Sequence, residues 1–201
     1  MAKPYRGSPI EELKRDQAHM KDLAAALESI KHRFTAEGIP FAVIGALALR
    51  RHGYIRQTED IDIVTTPAGL DLIHARFSGL GIKPRAPGLR KKLRESEHEV
   101  DIDVITSGEH AGAADSPIVY PDPSSDWFIE VEGLRYPTLE RLIDIKLASH
   151  LWGHRAHDFA DVIKLIQIHA LGVPFADKLH PELRPKFLEA VEMAARERDI
   201  E

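Results

Sequence analysis

Four aspartates stand out for their spacing. Asp60 and Asp62 open the apolar run "DIDIVTT", and Asp101 and Asp103 repeat the pattern in "EVDIDVITSG". In a strand, residues i and i+2 face the same way, so each pair projects from one face with its isoleucines on the other. Two carboxylates that close raise each other's pKa unless positive charge sits between them. A solvated strand end tolerates such a pair. The alternative is a hard divalent cation, and magnesium is usually held by one or two carboxylates plus substrate phosphates. If the two strands lie side by side, a third carboxylate joins the first pair. Three carboxylates can hold two ions about 3.5–4 Å apart, the clamp used for in-line displacement at phosphorus. One ion would acidify the attacking hydroxyl, and the other would neutralise a triphosphate and its leaving pyrophosphate.

Other residues fit that chemistry. "FAVIG" delivers Gly45 to a strand-to-helix junction, and Ala46 and Ala48 keep the first turn small. Such a turn lets phosphate approach free backbone N–H donors, although small residues there also serve packing alone. Arg56 and Thr58 lie just before Asp60. Arg56 is either a surface arginine or a bidentate phosphate ligand. Lys146 falls on the apolar stripe of Leu139, Leu142, Ile143, Leu147 and Leu151. It must snorkel out or find a partner, and a triphosphate across a cleft would be one. Asp158 and Asp161 flank the next stripe and read as structural partners, Asp161 for Lys146 or Arg155.

The elements that must position these groups follow from periodicity. Residues 8–37 predict a helix, with Ser8, Pro9 and Glu11 at capping spacing. Its stripe is Leu23, Ala26, Leu27, Ile30 and Phe34, and Gly38 ends it. A short strand, a helix closed by Gly53, the Asp60 strand and a helix from Pro67 come next. "KKLRESEHEVDIDVITSG" predicts a strand, a charged turn and a strand over 99–106. Residues 109–126 predict a loop, "WFIEVEGLRY" a strand with a turn at Gly133, and 137–151, 156–171 and 181–198 three helices. The pattern is α+β, with an N-terminal helix (1–37), an α/β core (38–136) and a helical C-terminal subdomain (137–201).

Gly45 with Ala46, then Asp60-x-Asp62, then Asp103 or Asp101 on a later strand resembles the nucleotidyltransferase superfamily related to DNA polymerase β. "GALALRRHGYIRQTEDIDIV" and "YPTLERLIDIKLAS" with "HDFADVIKLI" look most like its stand-alone prokaryotic branch, which includes toxins of toxin–antitoxin and abortive-infection systems. The resemblance covers roughly residues 38–171. It implies a mixed β-sheet flanked by helices and magnesium, two ions, at Asp60, Asp62 and Asp103. It also implies a nucleoside triphosphate donor, with Gly45, Ala46, Arg56, Thr58 and Lys146 on its side. The transferred nucleoside monophosphate would reach a hydroxyl or amine of a tRNA, a protein or a small molecule such as an aminoglycoside. A cognate antitoxin would be a partner of the toxin form. The family usually has Gly-Gly or Gly-Ser where this chain has Gly45-Ala46, so a hydroxyl is missing. A catalytically weak binding protein, antitoxin or scaffold, is the alternative. Asp103 suits the family's third position better than Asp101, because "DVITSG" supplies the apolar residues and polar turn that follow it.

Composition sets the outer limits. The 201 residues are 43% hydrophobic and 29% charged with formal net charge −5. A polyanion would therefore need a local basic patch. "GLRKKLRE", with Arg90, Lys91, Lys92 and Arg94, is such a run, either a solvated hairpin face or a guide for an acidic acceptor. The chain has no cysteine, which excludes disulfides and thiolate chemistry. His150, His154 and His157 cluster, but Gly153 interrupts them, so zinc is not the reading there. The histidines are not interleaved with the aspartates, which argues against a metal phosphohydrolase. No apolar run reaches membrane-span length and the start lacks a signal-peptide core, so a cytoplasmic protein is expected.

Overall fold

A computed structural model describes residues 18–198. The capping sequence at Ser8, Pro9 and Glu11 lies outside them. Helix α1 (Ala18–Ala36) buries all five predicted stripe residues, Leu23, Ala26, Leu27, Ile30 and Phe34. Their i, i+3, i+4 spacing leaves one apolar face, and that face covers the sheet.

The sheet is mixed, five strands in the order β1-β2-β5-β4-β3. Strand β1 (Phe41–Val43) runs antiparallel to β2 (Asp60–Thr65), with α2 (Gly45–Arg51) between them in sequence. The chain leaves β2 through α3 (Pro67–Phe77), whose first turn is capped by Thr66 accepting from Gly69 N at 2.9 Å. It returns along β3 (Ile82–Pro84) and β4 (Lys92–Glu95) to β5 (Val100–Thr106). β5 pairs with β2 in parallel, and β4 with β5 antiparallel. Burial in β5 alternates strictly, with Val100, Ile102, Val104 and Thr106 inside and Asp101, Asp103 and Ile105 on the other face. Strand β3 is not apparent from periodicity, because Pro84 and flanking glycines hide a three-residue edge.

"WFIEVEGLRY" forms a separate hairpin, β6 (Phe128–Val131) and β7 (Leu134–Pro137), rather than a single strand. Residues 109–126 are more than solvated loop. His110 bridges Val119, Ala111 N donates to Ile118 O at 2.8 Å, and Ile118 and Tyr120 are buried. Helices α4 (Leu139–Gly153), α5 (Ala156–His169) and α6 (Arg184–Arg198) follow, the last preceded by two 3-10 turns. Their buried faces join those of α1 and the sheet in one continuous apolar cluster, from Leu23 to Ala194.

Candidate active site

The parallel pairing of β2 and β5 sets Asp60 opposite Asp101 and Asp62 opposite Asp103. All four carboxylates thus leave the same face of adjacent strands. Asp60, Asp62 and Asp103 converge, each offering an oxygen within 4.8 Å of the others. Asp101 lies outside that group and meets two arginines, with Arg94 Nη1 at 3.0 Å and Arg85 Nη1 at 3.3 Å. The antiparallel register sets a cation across from each aspartate of β5, Arg94 from Asp101 and Lys92 from Asp103. Lys92 bonds Oδ2 of Asp103, while Oδ1 is buried with no hydrogen-bond partner among the described residues.

Asp62 bears most of the crowding. Its burial, then Asp60, then Asp103 push its pKa up from 3.8 to about 6, against the opposing pull of Arg155 and Lys146. Asp60 is held by Thr58, whose Oγ1 donates to Oδ1 at 2.6 Å. Thr58 therefore orients a carboxylate directly.

Gly45 reaches the site through the sheet. Ile44 N donates to Asp62 O at 2.9 Å, extending the β1–β2 ladder so that Gly45 lies against the Asp62 side chain. Gly45 adopts φ +65°, and a Cβ there would sit 1.9 Å from Asp62 Oδ2. Ala46 is buried in the first turn of α2. Ile44, at the N-cap, has no side-chain acceptor for the free N–H groups of that turn.

Lys146 does not snorkel. Its Nζ is buried, 2.6 Å from Asp158 Oδ1 and 2.8 Å from Asp161 Oδ2 on α5. Arg56 Nη1 approaches Asp161 Oδ2 at 3.5 Å, and Arg155 Nε approaches Asp158 Oδ2 at 3.4 Å. Three cations thus meet two carboxylates beside the acidic face. Tyr120 walls the same region. Burial, then the Asp62 charge, push its phenol pKa well up, so it stays protonated. Tyr120 sits in a proline-rich stretch with no periodicity to mark it, and the role of Lys92 needs the β4–β5 register.

The basic run is spent internally. Arg90 pairs with Asp71, Lys91 with Glu109 at 2.8 Å, Lys92 with Asp103, and Arg94 with Asp101. His150 stacks on Phe159 at 4.9 Å, and His157 lies near Arg155 and Asp158. Among the described residues no helix is long and apolar enough to cross a membrane.

The donor set suits a hard divalent cation: three converging carboxylates, one with an orphaned oxygen and one with its ionisation opposed by the other two. No protein-family model and no curated protein matches the chain. Solved structures do. The antibiotic-resistance factor ANT(2'')-Ia in solution aligns with TM-score 0.51 at 13% identity, covering 87% of this chain and 94% of that one. Crystalline ANT(2'')-Ia in complex with adenylyl-2''-tobramycin aligns with TM-score 0.52 at 14% identity, covering 81% and 95%. Likeness at this identity is one of backbone architecture: the chain shares the fold of ANT(2'')-Ia.

Proposed function

We propose that the chain transfers a nucleoside monophosphate from a nucleoside triphosphate to a hydroxyl or amine acceptor at Asp60, Asp62 and Asp103. The observation that carries this reading is the convergence of those carboxylates on adjacent parallel strands of a nucleotidyltransferase fold. The new bond joins the acceptor oxygen or nitrogen to the α-phosphorus. The α–β phosphoanhydride breaks, pyrophosphate leaves, and the acceptor proton passes to solvent. Magnesium, as two ions held by Asp60, Asp62 and Asp103, would supply Lewis-acid charge to the phosphate oxygens and the acceptor.

The chain's own residues do the rest. Thr58 fixes the rotamer of Asp60. Gly45 leaves the Asp62 carboxylate uncovered, and the backbone of Gly45 and Ala46 is assigned to a phosphate. Arg56, Arg155 and Lys146 give the opposite wall a positive excess that suits the triphosphate. Asp101 belongs to the Arg85 and Arg94 pairs in this assignment, and Asp103 is the third ligand.

Acceptor candidates are a tRNA, a protein and a small molecule. ANT(2'')-Ia holds adenylyl-2''-tobramycin, which makes an aminoglycoside a natural probe. The neutralised basic run weighs against tRNA, since its cations are engaged by Asp71, Glu109, Asp103 and Asp101. A protein acceptor would suit a toxin held in check by a cognate antitoxin. The test is incubation with magnesium and each radiolabelled nucleoside triphosphate, adding total tRNA, extract protein or an aminoglycoside panel. Label should appear on one class and vanish with Asp60→Asn. Absence of label on every class, with no magnesium-dependent nucleotide binding, would instead identify a non-catalytic binding protein.

A further inference from the structure

The turn between β4 and β5 carries a second set of metal-type donors. Glu95, Glu97 and His98 each offer one atom within 4.8 Å of the others. Acidic turns are common, and spacing alone would carry nothing. Glu95, however, is fully buried at 0% exposure. Its Oε2 accepts from His98 N at 2.8 Å and meets His98 Nδ1 at 3.0 Å. Its Oε1 is buried with no hydrogen-bond partner among the described residues. His98 serves only one oxygen of this buried carboxylate, and the orphaned Oε1 leaves a position that a cation would fill.

We propose that Glu95, Glu97 and His98 form a binding site for a zinc-class divalent cation, separate from the Asp60, Asp62 and Asp103 cluster. An imidazole among carboxylates suits zinc better than magnesium, which prefers oxygen donors alone. Glu97 is exposed and offers the way in from solvent. His98 also borders a cavity of about 330 Å³ with Asp22, Gln57 and Glu59, which leaves room for water ligands. The ion would tie the end of β4 to the turn. Glu95 pairs with Val100, where β5 begins, so the tie lies just ahead of Asp101 and Asp103.

The test uses the full chain carrying Asp62→Asn and Asp103→Asn, which removes the other cluster. It is stripped with chelator and titrated with zinc chloride by calorimetry at pH 7.5. One ion per chain is expected, with affinity falling about tenfold or more in His98→Ala and in Glu97→Gln. Magnesium chloride should give no such isotherm. Should either variant fail to fold, the imidazole resonances of His98 in the unsubstituted chain decide, and zinc but not magnesium should shift them. No zinc isotherm, equal affinity in the variants, or unmoved His98 resonances would overturn the site and leave the Glu95–His98 contact as a structural one. Nucleotide transfer is not read in this experiment, so its outcome is independent of the proposed activity.

Discussion

At the scale of residues, the site is defined by what Asp62 tolerates. Its neighbour Gly45 combines φ +65° with a would-be Cβ 1.9 Å from the Asp62 carboxylate. Gly45→Ala should therefore cost about 1–2 kcal/mol in backbone strain alone and also displace Asp62. We expect a lower Tm together with loss of nucleotidyl transfer. A full-activity Gly45→Ala chain would remove this glycine from the site. The Thr58 contact predicts the opposite balance. Thr58→Val removes the hydroxyl that bonds Asp60 and leaves the volume nearly unchanged. Orienting partners of ligands are typically worth tenfold to a hundredfold in affinity or activity. We expect transfer to fall by about that factor while Tm barely moves. Asp62 itself yields a pH prediction. Its folded pKa, about 6, lies above its ordinary 3.8, so the folded chain binds that proton more tightly than the unfolded chain does. The group's contribution to stability is thus most favourable below pH 4 and declines as pH rises through 6. Above that window its ionised form disfavours the fold by on the order of 3 kcal/mol. In buffer with chelator, Asp62→Asn should raise Tm at pH 7.5 and leave it nearly unchanged at pH 4, as a pair of calorimetric scans would record.

At the scale of elements, the aspartates were legible because the strand period is two. The D-x-D pairs fix a face from sequence alone, whatever the partner strand. Periodicity alone does not separate Asp101 from Asp103; the apolar residues and polar turn of "DVITSG" favour Asp103, the one that joins Asp60 and Asp62. What the sequence hid is that β4 sets a cation opposite each, Arg94 across from Asp101 and Lys92 across from Asp103. Cross-strand neighbours belong to the sheet, and a basic run read along the chain looks merely solvated. The helical stripes were legible for the same kind of reason: Leu142, Ile143, Leu147, Val162, Ile163 and Ile166 are all buried. The loop at 109–126 was not, since Pro, Gly and Ser conceal the pairing that buries Ile118 and Tyr120. Gly112 shows how closely this segment lies on α4. A Cβ there would come within 2.8 Å of Ala148 O and Gly153 N, at φ +91°. Between α4 and α5, Lys146 lies buried between Asp158 and Asp161. Removing one partner of a buried pair strands the other charge and costs about 3–5 kcal/mol. Lys146→Ala should lose stability on that scale by chemical denaturation. Arg155→Ala should lose little, because that side chain is 56% exposed. Equal losses would mean that the buried lysine is not what joins these helices.

At the scale of the whole molecule, the two sides of the site differ in charge balance. The sheet face gathers Asp60, Asp62 and Asp103 with Lys92, while Lys146, Arg155 and Arg56 outnumber Asp158 and Asp161 by one beside it. A chain of net charge −5 that masses carboxylates at one point destabilises itself there unless a cation arrives. A cation that binds only the folded state stabilises it in proportion to the logarithm of its concentration over Kd. Protons compete for the same oxygens, and Asp62 takes one up near pH 6. Magnesium should therefore raise Tm clearly at pH 7.5 and much less at pH 5, where Asp62 is largely protonated. A nucleoside triphosphate added with magnesium should extend the rise if, as proposed, its phosphates meet both the cation and the Arg56, Lys146 and Arg155 side. With Asp62→Asn and Asp103→Asn together, the pH 7.5 rise should disappear. A magnesium-dependent rise of the same size at both pH values, or one that survives those two substitutions, would mean that the ion binds elsewhere and that these carboxylates are not its ligands.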